Sequence, residues 1–148
     1  MIIFCDDGRL IELPIDTLVG VDLKGAELHR ARLYDMDLSK ACFAGANLRS
    51  ALLSRSNLAF VDMTEARLMA AQLVGSNLSH ADLRRARLNG AVFEDANLEN
   101  ADLRGAILTL VNWRGANLTG AMLTVAQLME NSFEGAIGLD AVNRVADE

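Results

Sequence analysis

Apolar side chains recur every five residues along most of this chain, and the spacing holds without insertion or deletion from residue 21 to residue 135. The segment ADLRRARLNG, residues 81–90, shows the unit twice: a small residue, a polar residue, a leucine and two further residues. Of the 23 consecutive repeats, 18 carry Leu at the third position, three carry Phe, one Met and one Trp, and 16 begin with Ala. The chain is therefore a repeat array with a short segment at each end.

A period of five fits neither standard element of secondary structure. On an α-helix the leucines would drift around the axis, and on a β-strand successive leucines would point to opposite faces. The pattern therefore predicts a backbone that turns a corner once per repeat, as in a solenoid whose coils bury their inner side chains against their neighbours.

The repeats resemble those of the pentapeptide repeat family, which have the form A-[DN]-L-X-X. Five repeats match this form in full: Ala46-Asn47-Leu48, Ala81-Asp82-Leu83, Ala96-Asn97-Leu98, Ala101-Asp102-Leu103 and Ala116-Asn117-Leu118. The resemblance implies an all-β fold, a right-handed quadrilateral β-helix with four repeats per coil, in which the first and third residues of each repeat point inward. Stacked positions then lie about 20 residues apart, at about 4.8 Å per coil.

The four faces of such a rod can be numbered from their first repeats, which begin at residues 21, 26, 31 and 36. On the third face the inward residues grow toward the C-terminus and include Trp113, so we expect a widened coil or a ring that tips outward. The fourth face carries a column of Asn residues, which we expect to hydrogen-bond along the rod axis.

The repeats end before each terminus, so the chain divides into three parts. Residues 1–20 are expected to cap the first coil, with a β-prone run at Ile2–Cys5, a turn at Asp6–Gly8, a return strand through Leu10, Ile11 and Leu13, and Pro14 as its end. Residues 21–135 form the β-helix. Residues 136–148 are expected to form a short amphipathic helix with Leu139, Val142 and Val145 on one side.

Composition excludes several classes of function. There is no long apolar run and no signal-peptide pattern, so we expect a cytoplasmic protein without a membrane span. His29 and His80 fall on opposite sides of the rod, no nucleophile–base set or metal-ligand spacing is present, and Cys5 and Cys42 are expected to be free thiols. The sequence predicts no enzyme activity, no cofactor and no metal site.

Two surfaces stand out as candidate binding sites. Toward the C-terminal end, apolar residues replace polar ones or enlarge the interior, which marks a candidate protein interface; its members are Ile107, Leu110, Trp113, Met122, Val125, Met129, Leu139, Val142 and Val145. The first face carries a candidate acidic column of Asp62, Asp82 and Asp102, with Lys24, Arg84, Arg85 and Arg104 near enough to neutralise it.

These features favour a non-enzymatic protein-binding or scaffold module whose partner the sequence does not identify. We expect no direct binding of nucleic acid or membrane. We expect a homodimer through the C-terminal end, with a monomer whose own C-terminal segment seals the last coil as the alternative. The resemblance supplies an alternative, because some members of the family mimic duplex DNA and modulate DNA gyrase or topoisomerase IV. Against it, residues 21–135 carry 12 basic and 13 acidic side chains, so the rod is nearly neutral although the whole chain has a net charge of −6.

Overall fold

The computed structural model describes residues 2–12 and 17–146, and its centre is a solenoid with stacked positions 20 residues apart. One ladder of parallel bridges joins Asp22, Cys42, Asp62, Asp82, Asp102 and Met122. Three further ladders begin at Glu27, Arg32 and Asp37 and advance by the same step. Four ladders at this spacing place four repeats in each coil.

Most repeats end in a tight turn that makes the corner of the coil. In one example the N–H of Ala46 donates to the carbonyl oxygen of Phe43 at 2.9 Å, and Gly45 between them has a φ of 66°. A positive φ at this position defines a type II turn. Thirteen of the described residues other than glycine also adopt positive φ, all of them at the fifth position of a repeat. The corners are therefore held in a left-handed conformation by the ladders and the core, whatever residue occupies them.

The interior is filled by the first and third residues of the repeats. Leu48, Leu83 and Ala96 are typical, being fully or almost fully buried. Burying one leucine contributes about 1.5–3 kcal/mol, and alternating Leu with Ala allows a narrow interior to reach crystal-like density. The sequence is thus periodic every five residues because the first and third residues of each repeat point inward.

The C-terminal part of the interior holds a stack of three aromatic rings. The ring of Trp113 lies between those of Phe93 and Phe133, with centroid separations of 5.2 and 5.4 Å. Trp113 is only 1% exposed. Of the two arrangements expected from the sequence, the ring does not tip outward, so Trp113 belongs to the core.

A column of amides follows the fourth face, as expected from the sequence. Each side chain donates through Nδ2 to the Oδ1 of the residue one coil earlier: Asn57 to Asp37 at 3.0 Å, Asn77 to Asn57 at 3.3 Å, Asn97 to Asn77 at 3.5 Å and Asn117 to Asn97 at 3.1 Å. The same oxygens accept backbone N–H groups two residues later, for example that of Ser79 at 3.1 Å from Asn77. The amides therefore serve both the ladder and the turn, which is a structural role.

An antiparallel hairpin covers the first coil. Strand β1 (Ile2–Phe4) pairs with strand β2 (Leu10–Glu12), and Cys5 continues onto the coil through an antiparallel bridge to Ala31. This matches the expected run, turn and return strand as far as residue 12; Leu13 and Pro14 lie outside the described residues.

The C-terminal end differs from the sequence-based expectation. The predicted helix over residues 136–148 is wrong for the part that the structure describes, because Leu139–Ala141 is a 3-10 turn and Asn143–Val145 is a strand, β4, parallel to β3 (Met122–Thr124). A helix this short is marginal alone, whereas the exposed edge of the preceding coil offers backbone partners. The ladders thus continue beyond residue 135, since Ile137 also pairs with Asn117.

The only α-helix of the described residues, α1, spans Val125–Glu130 and replaces one repeat of the second face. Thr124 and Gln127 form a capping box, in which Thr124 Oγ1 accepts from the N–H of Gln127 at 3.1 Å and Gln127 Oε1 accepts from the N–H of Thr124 at 2.9 Å. This reciprocal cap satisfies two backbone donors at the helix start. The Ala126–Leu128 segment fits the repeat pattern, which is why the sequence predicted another β-helix repeat there.

Candidate functional site

Two strongly exposed apolar side chains lie on the second face near the C-terminal end, and we call this pair, Ile107 and Leu110, the apolar flank. Ile107 is 45% exposed and Leu110 is 88% exposed. Ile107 follows Arg87 in the ladder of this face, so the flank continues the outward surface of the coils. Leu110 occupies a corner with a φ of 58°, a conformation that branched side chains rarely adopt.

A groove at the C-terminal end of the rod forms the second apolar surface, and we call it the end groove. It encloses about 500 Å³ between α1 and the last turns of the chain. Its walls are mainly apolar side chains together with one amide and one guanidinium: Val125, Leu128, Met129, Asn131, Phe133, Leu139 and Arg144. Met129 is 81% exposed at its rim.

The remaining members of the interface predicted from the sequence are less accessible. Trp113 is enclosed in the ring stack, and Val142 is only 9% exposed. Met122 and Val145 are half-buried in the paired strands β3 and β4. The structure therefore divides the predicted set into surface residues, which line the flank and the groove, and residues that support them from within.

Two of the three carboxylates in the candidate acidic column, Asp82 and Asp102, are neutralised by the arginines that follow them. Arg84 Nη2 lies 2.6 Å from Asp82 Oδ2, its Nε lies 3.7 Å from Asp102 Oδ2, and Arg104 Nη2 lies 2.6 Å from Asp102 Oδ2. Burial raises the pKa of Asp82, but the hydrogen bonds and charge of Arg84 outweigh it and hold the pKa below its usual value. Asp62 instead accepts the N–H and hydroxyl of Thr64. This column is thus a row of ion pairs and turns.

The structure assembles no reactive centre from the described residues. His29 Nδ1 lies 2.9 Å from the carbonyl oxygen of Arg49, while the ring of His80 stacks on Phe60 on another face. Both cysteines are free thiols, and burial raises the pKa of Cys5. In the same part of the chain, no group of three or more His, Cys, Asp or Glu side chains could hold a metal ion. Nor do residues 2–12 and 17–146 include a helix with the length and hydropathy to span a membrane.

Which arginines of the coils form ion pairs was not visible from the sequence. Across residues 21–135, most arginines sit within 4 Å of a carboxylate in the described structure: Arg32, Arg55, Arg67, Arg84, Arg85, Arg104 and Arg114. The other three, Arg30, Arg49 and Arg87, form no ion pair with any described residue, and all three lie on the second face. Among the described residues, the arginines of the coils that lack an ion pair are therefore all on the face that carries the apolar flank.

The fold and the repeat define the class of this protein as a β-solenoid of five-residue repeats. The family model described as pentapeptide repeats matches eight copies, over segments that together run from residue 17 to residue 135. The chain therefore belongs to the pentapeptide repeat family. A search of the curated proteins found no match.

Solved structures of the same family are similar to this chain. A pentapeptide repeat protein, Rfr23, from the cyanobacterium Cyanothece 51142 is 28% identical with a TM-score of 0.59, over 66% of this chain and 84% of that one. Alr5209, from Nostoc PCC 7120, is 32% identical with a TM-score of 0.50, over 74% of this chain and 84% of that one. QnrB1, a plasmid-mediated fluoroquinolone resistance protein, is 16% identical with a TM-score of 0.39, over 72% of each chain. Those last values are too low to carry a functional argument.

Proposed function

We propose that this right-handed, four-sided rod is a non-enzymatic scaffold that binds another protein in the cytoplasm, without a cofactor, through the apolar flank. The observation that carries the proposal is Leu110, which exposes 88% of its surface beside the half-exposed Ile107. Side chains of this size gain about 25 cal/mol for each Å² of apolar surface that a partner covers.

The rod suits such a role because its recognition groups are fixed before binding. Its outward side chains are carried by hydrogen-bonded coils, so little backbone freedom is lost when a partner docks. Leu110 keeps a left-handed corner although it makes no buried contact there. A leucine that is 88% exposed gains little from packing on folding, so its apolar surface is available to a partner.

Affinity capture tests this proposal. The full chain and its Leu110→Ser variant are immobilised and exposed to the native cell extract, and captured proteins are then purified for a direct binding measurement. Phe60→Ser is the matched control, because Phe60 is exposed and also occupies a left-handed corner, but on the fourth face. We expect one partner to bind the parent and the control and to lose at least about tenfold in affinity for Leu110→Ser. A partner that binds all three equally, or no partner at all, would contradict the proposal.

We also propose that a second copy of the chain covers the end groove, giving a homodimer. The support is the apolar lining of the groove, its exposed Met129 and the outer edge of β4, which pairs with no other described strand. Two-fold pairing is also the commonest oligomer symmetry. Sedimentation tests it with Met129→Glu, which leaves the strand pairs of residues 137–146 intact. We expect a dimer for the parent chain and a folded monomer for the variant. A parent chain that sediments as a monomer at high micromolar concentration would refute the dimer.

The alternative of a DNA-mimicking modulator of DNA gyrase or topoisomerase IV gains no support from the surface. A mimic of duplex DNA needs rows of free negative charge in place of phosphates. Here Asp82 and Asp102 are paired with Arg84 and Arg104. A supercoiling assay with and without a fluoroquinolone tests this alternative directly, and inhibition or protection at low micromolar protein would favour it over the scaffold.

A further inference from the structure

The second face combines free positive charge with the apolar flank in one flat surface. Its central ladder joins Glu27, Asn47, Arg67, Arg87 and Ile107 through parallel bridges, and Arg49 lies beside it on the second coil. From Arg49 to Leu110 the surface rises by three coils, which is about 14 Å at 4.8 Å per coil. Basic side chains thus occupy the N-terminal part of this surface and apolar ones its C-terminal part.

Unpaired arginines are the feature that distinguishes this face from the others. Arg49 and Arg87 are exposed and have no carboxylate within ion-pair distance among the described residues. Arg67 reaches only Glu27, two coils away, at 3.4 Å, and both of these side chains are about half-exposed. Such a solvated pair is worth little and is easily exchanged for another carboxylate. On the first face, by contrast, Arg84 is held by Asp82 at 2.6 Å.

We propose that the second face binds an extended acidic segment of a partner protein, with its carboxylates on Arg49, Arg67 and Arg87 and an apolar residue at one end on the apolar flank. An extended chain rises about 3.3 Å per residue, so four or five residues span the distance from Arg49 to Leu110. Guanidinium groups bind carboxylates with paired, directional hydrogen bonds. This inference rests on the proposed scaffold function and adds the chemistry of the partner.

Other anionic partners fit the face less well. Sequence-independent binding of single-stranded nucleic acid uses aromatic rings among the basic groups, and the exposed aromatic residues of the coils, Tyr34 and Phe60, lie on the third and fourth faces. An anionic membrane would attract the arginines, but lipid headgroups are mobile, so binding to them does not require a fixed distance between the arginines and one leucine. A row of arginines at a fixed distance from an apolar side chain is complementary to a peptide that carries carboxylates followed by an apolar residue.

Fluorescence anisotropy with a labelled peptide of four glutamates followed by two leucines tests the inference. The variant Arg49→Gln/Arg87→Gln is compared with Arg55→Gln/Arg85→Gln, which removes the same charge from arginines already paired with Asp35 and Glu65 on other faces. We expect the first variant to bind at least about tenfold more weakly and the second to change less than about twofold. Equal losses in the two variants, or no binding to the parent chain at about 1 mM peptide, would overturn the inference.

The apolar end is tested with a second peptide in which the two leucines are serines. The parent chain should prefer the leucine peptide, and Leu110→Ser should remove that preference while keeping the dependence on salt. Vesicles containing phosphatidylserine and a duplex oligonucleotide serve as competing probes; binding to either that depends on Arg49 and Arg87, without peptide binding, contradicts the assignment. If a partner captured through Leu110 binds Arg49→Gln/Arg87→Gln as tightly as the parent, this inference fails while the scaffold function stands.

Discussion

The guanidinium group of Arg9 donates a hydrogen bond to the main-chain carbonyl oxygen of His29 at 3.1 Å. Its other terminal nitrogen donates to the carbonyl oxygen of Glu27 at 3.2 Å. One coil later, the equivalent carbonyls of Asn47 and Arg49 accept the backbone N–H groups of Leu28 and Arg30. Arg9 therefore replaces the N–H donors that a neighbouring coil would supply at this end of the ladder. As a result, the carbonyl oxygens of Glu27 and His29 are both hydrogen-bonded.

Replacing Arg9 tests whether this side chain caps the rod. We expect Arg9→Ala to lower the melting temperature by a few degrees, and Arg9→Lys to recover only part of it, because one ammonium group cannot match the guanidinium fork. Asp7→Asn is the control, since it removes the ion pair between Asp7 and Arg9 at 2.8 Å and leaves the cap. Thermal unfolding by circular dichroism measures all three. If Asp7→Asn destabilises as much as Arg9→Ala, the ion pair matters and the cap does not.

Gln127 also hydrogen-bonds main-chain carbonyl oxygens that lack a ladder partner, at the place where α1 interrupts the ladder of the second face. Its Nε2 donates to the carbonyl oxygens of Leu103 at 2.7 Å and Ala106 at 2.9 Å, and the side chain is almost fully buried. Gln127→Leu removes the hydrogen bonds that this side chain makes to the two carbonyl oxygens and to the N–H of Thr124, so we expect a loss of about 2–4 kcal/mol in the free energy of unfolding.

Urea unfolding measures that loss, with Gln72→Leu as the control. Gln72 is only half-buried and makes one long contact, at 3.4 Å, with the carbonyl oxygen of Ala70. Its replacement should change the free energy of unfolding by less than about 0.5 kcal/mol. Similar losses in the two variants would show that burial of the glutamine side chain, and not its hydrogen bonds, stabilises this end.

How much of this structure the sequence predicts depends on whether the relevant contacts are periodic. The inward position of Leu83 follows from the five-residue spacing, and the amide ladder through Asn77 follows from that spacing together with the four repeats per coil that the family resemblance implies. The helix Val125–Glu130 does not, since its residues fit the repeat and the competing signal, a capping box of Thr124 and Gln127, is local. Nor could spacing show that Arg49 forms no ion pair with the residues that the structure describes, because ion pairs depend on rotamers and on neighbours one coil away.

The conformation of Leu110 leads to a prediction about stability that also bears on its proposed role in binding. Its left-handed corner disfavours a branched side chain, whereas Asn adopts this conformation far more readily, and the 88% exposed leucine loses no packing when replaced. We expect Leu110→Asn to raise the free energy of unfolding by roughly 0.5–1 kcal/mol in urea. Thr109→Asn, at the adjacent exposed position, should have almost no effect. Destabilisation by Leu110→Asn would mean that the leucine serves folding and would weaken the case for a binding role.

Stability should fall in acid through the paired carboxylates. The hydrogen bond from Arg55 holds the pKa of Asp35 below its ordinary value of 3.8. Because the folded-state pKa is the lower one, this stabilisation is complete above about pH 4 and is lost as the pH falls through the folded-state value. We expect a melting temperature that is nearly constant between about pH 5 and pH 7 and declines below about pH 4.

The control for the acid effect is Asp35→Asn, which should make that decline shallower. Thermal unfolding across the pH series measures both proteins. An identical slope below about pH 4 in the parent and the variant would show that Asp35 contributes nothing to the acid sensitivity.

The central claim, that the rod binds a partner protein through the second face, is tested most directly by photo-crosslinking in the native cell. A photoreactive amino acid replaces Leu110 in one version of the chain and Phe60 in a control version, both at exposed corners. The account predicts one dominant protein adduct from position 110 that is absent from position 60. No adduct from position 110, or the same adducts from both positions, would contradict it.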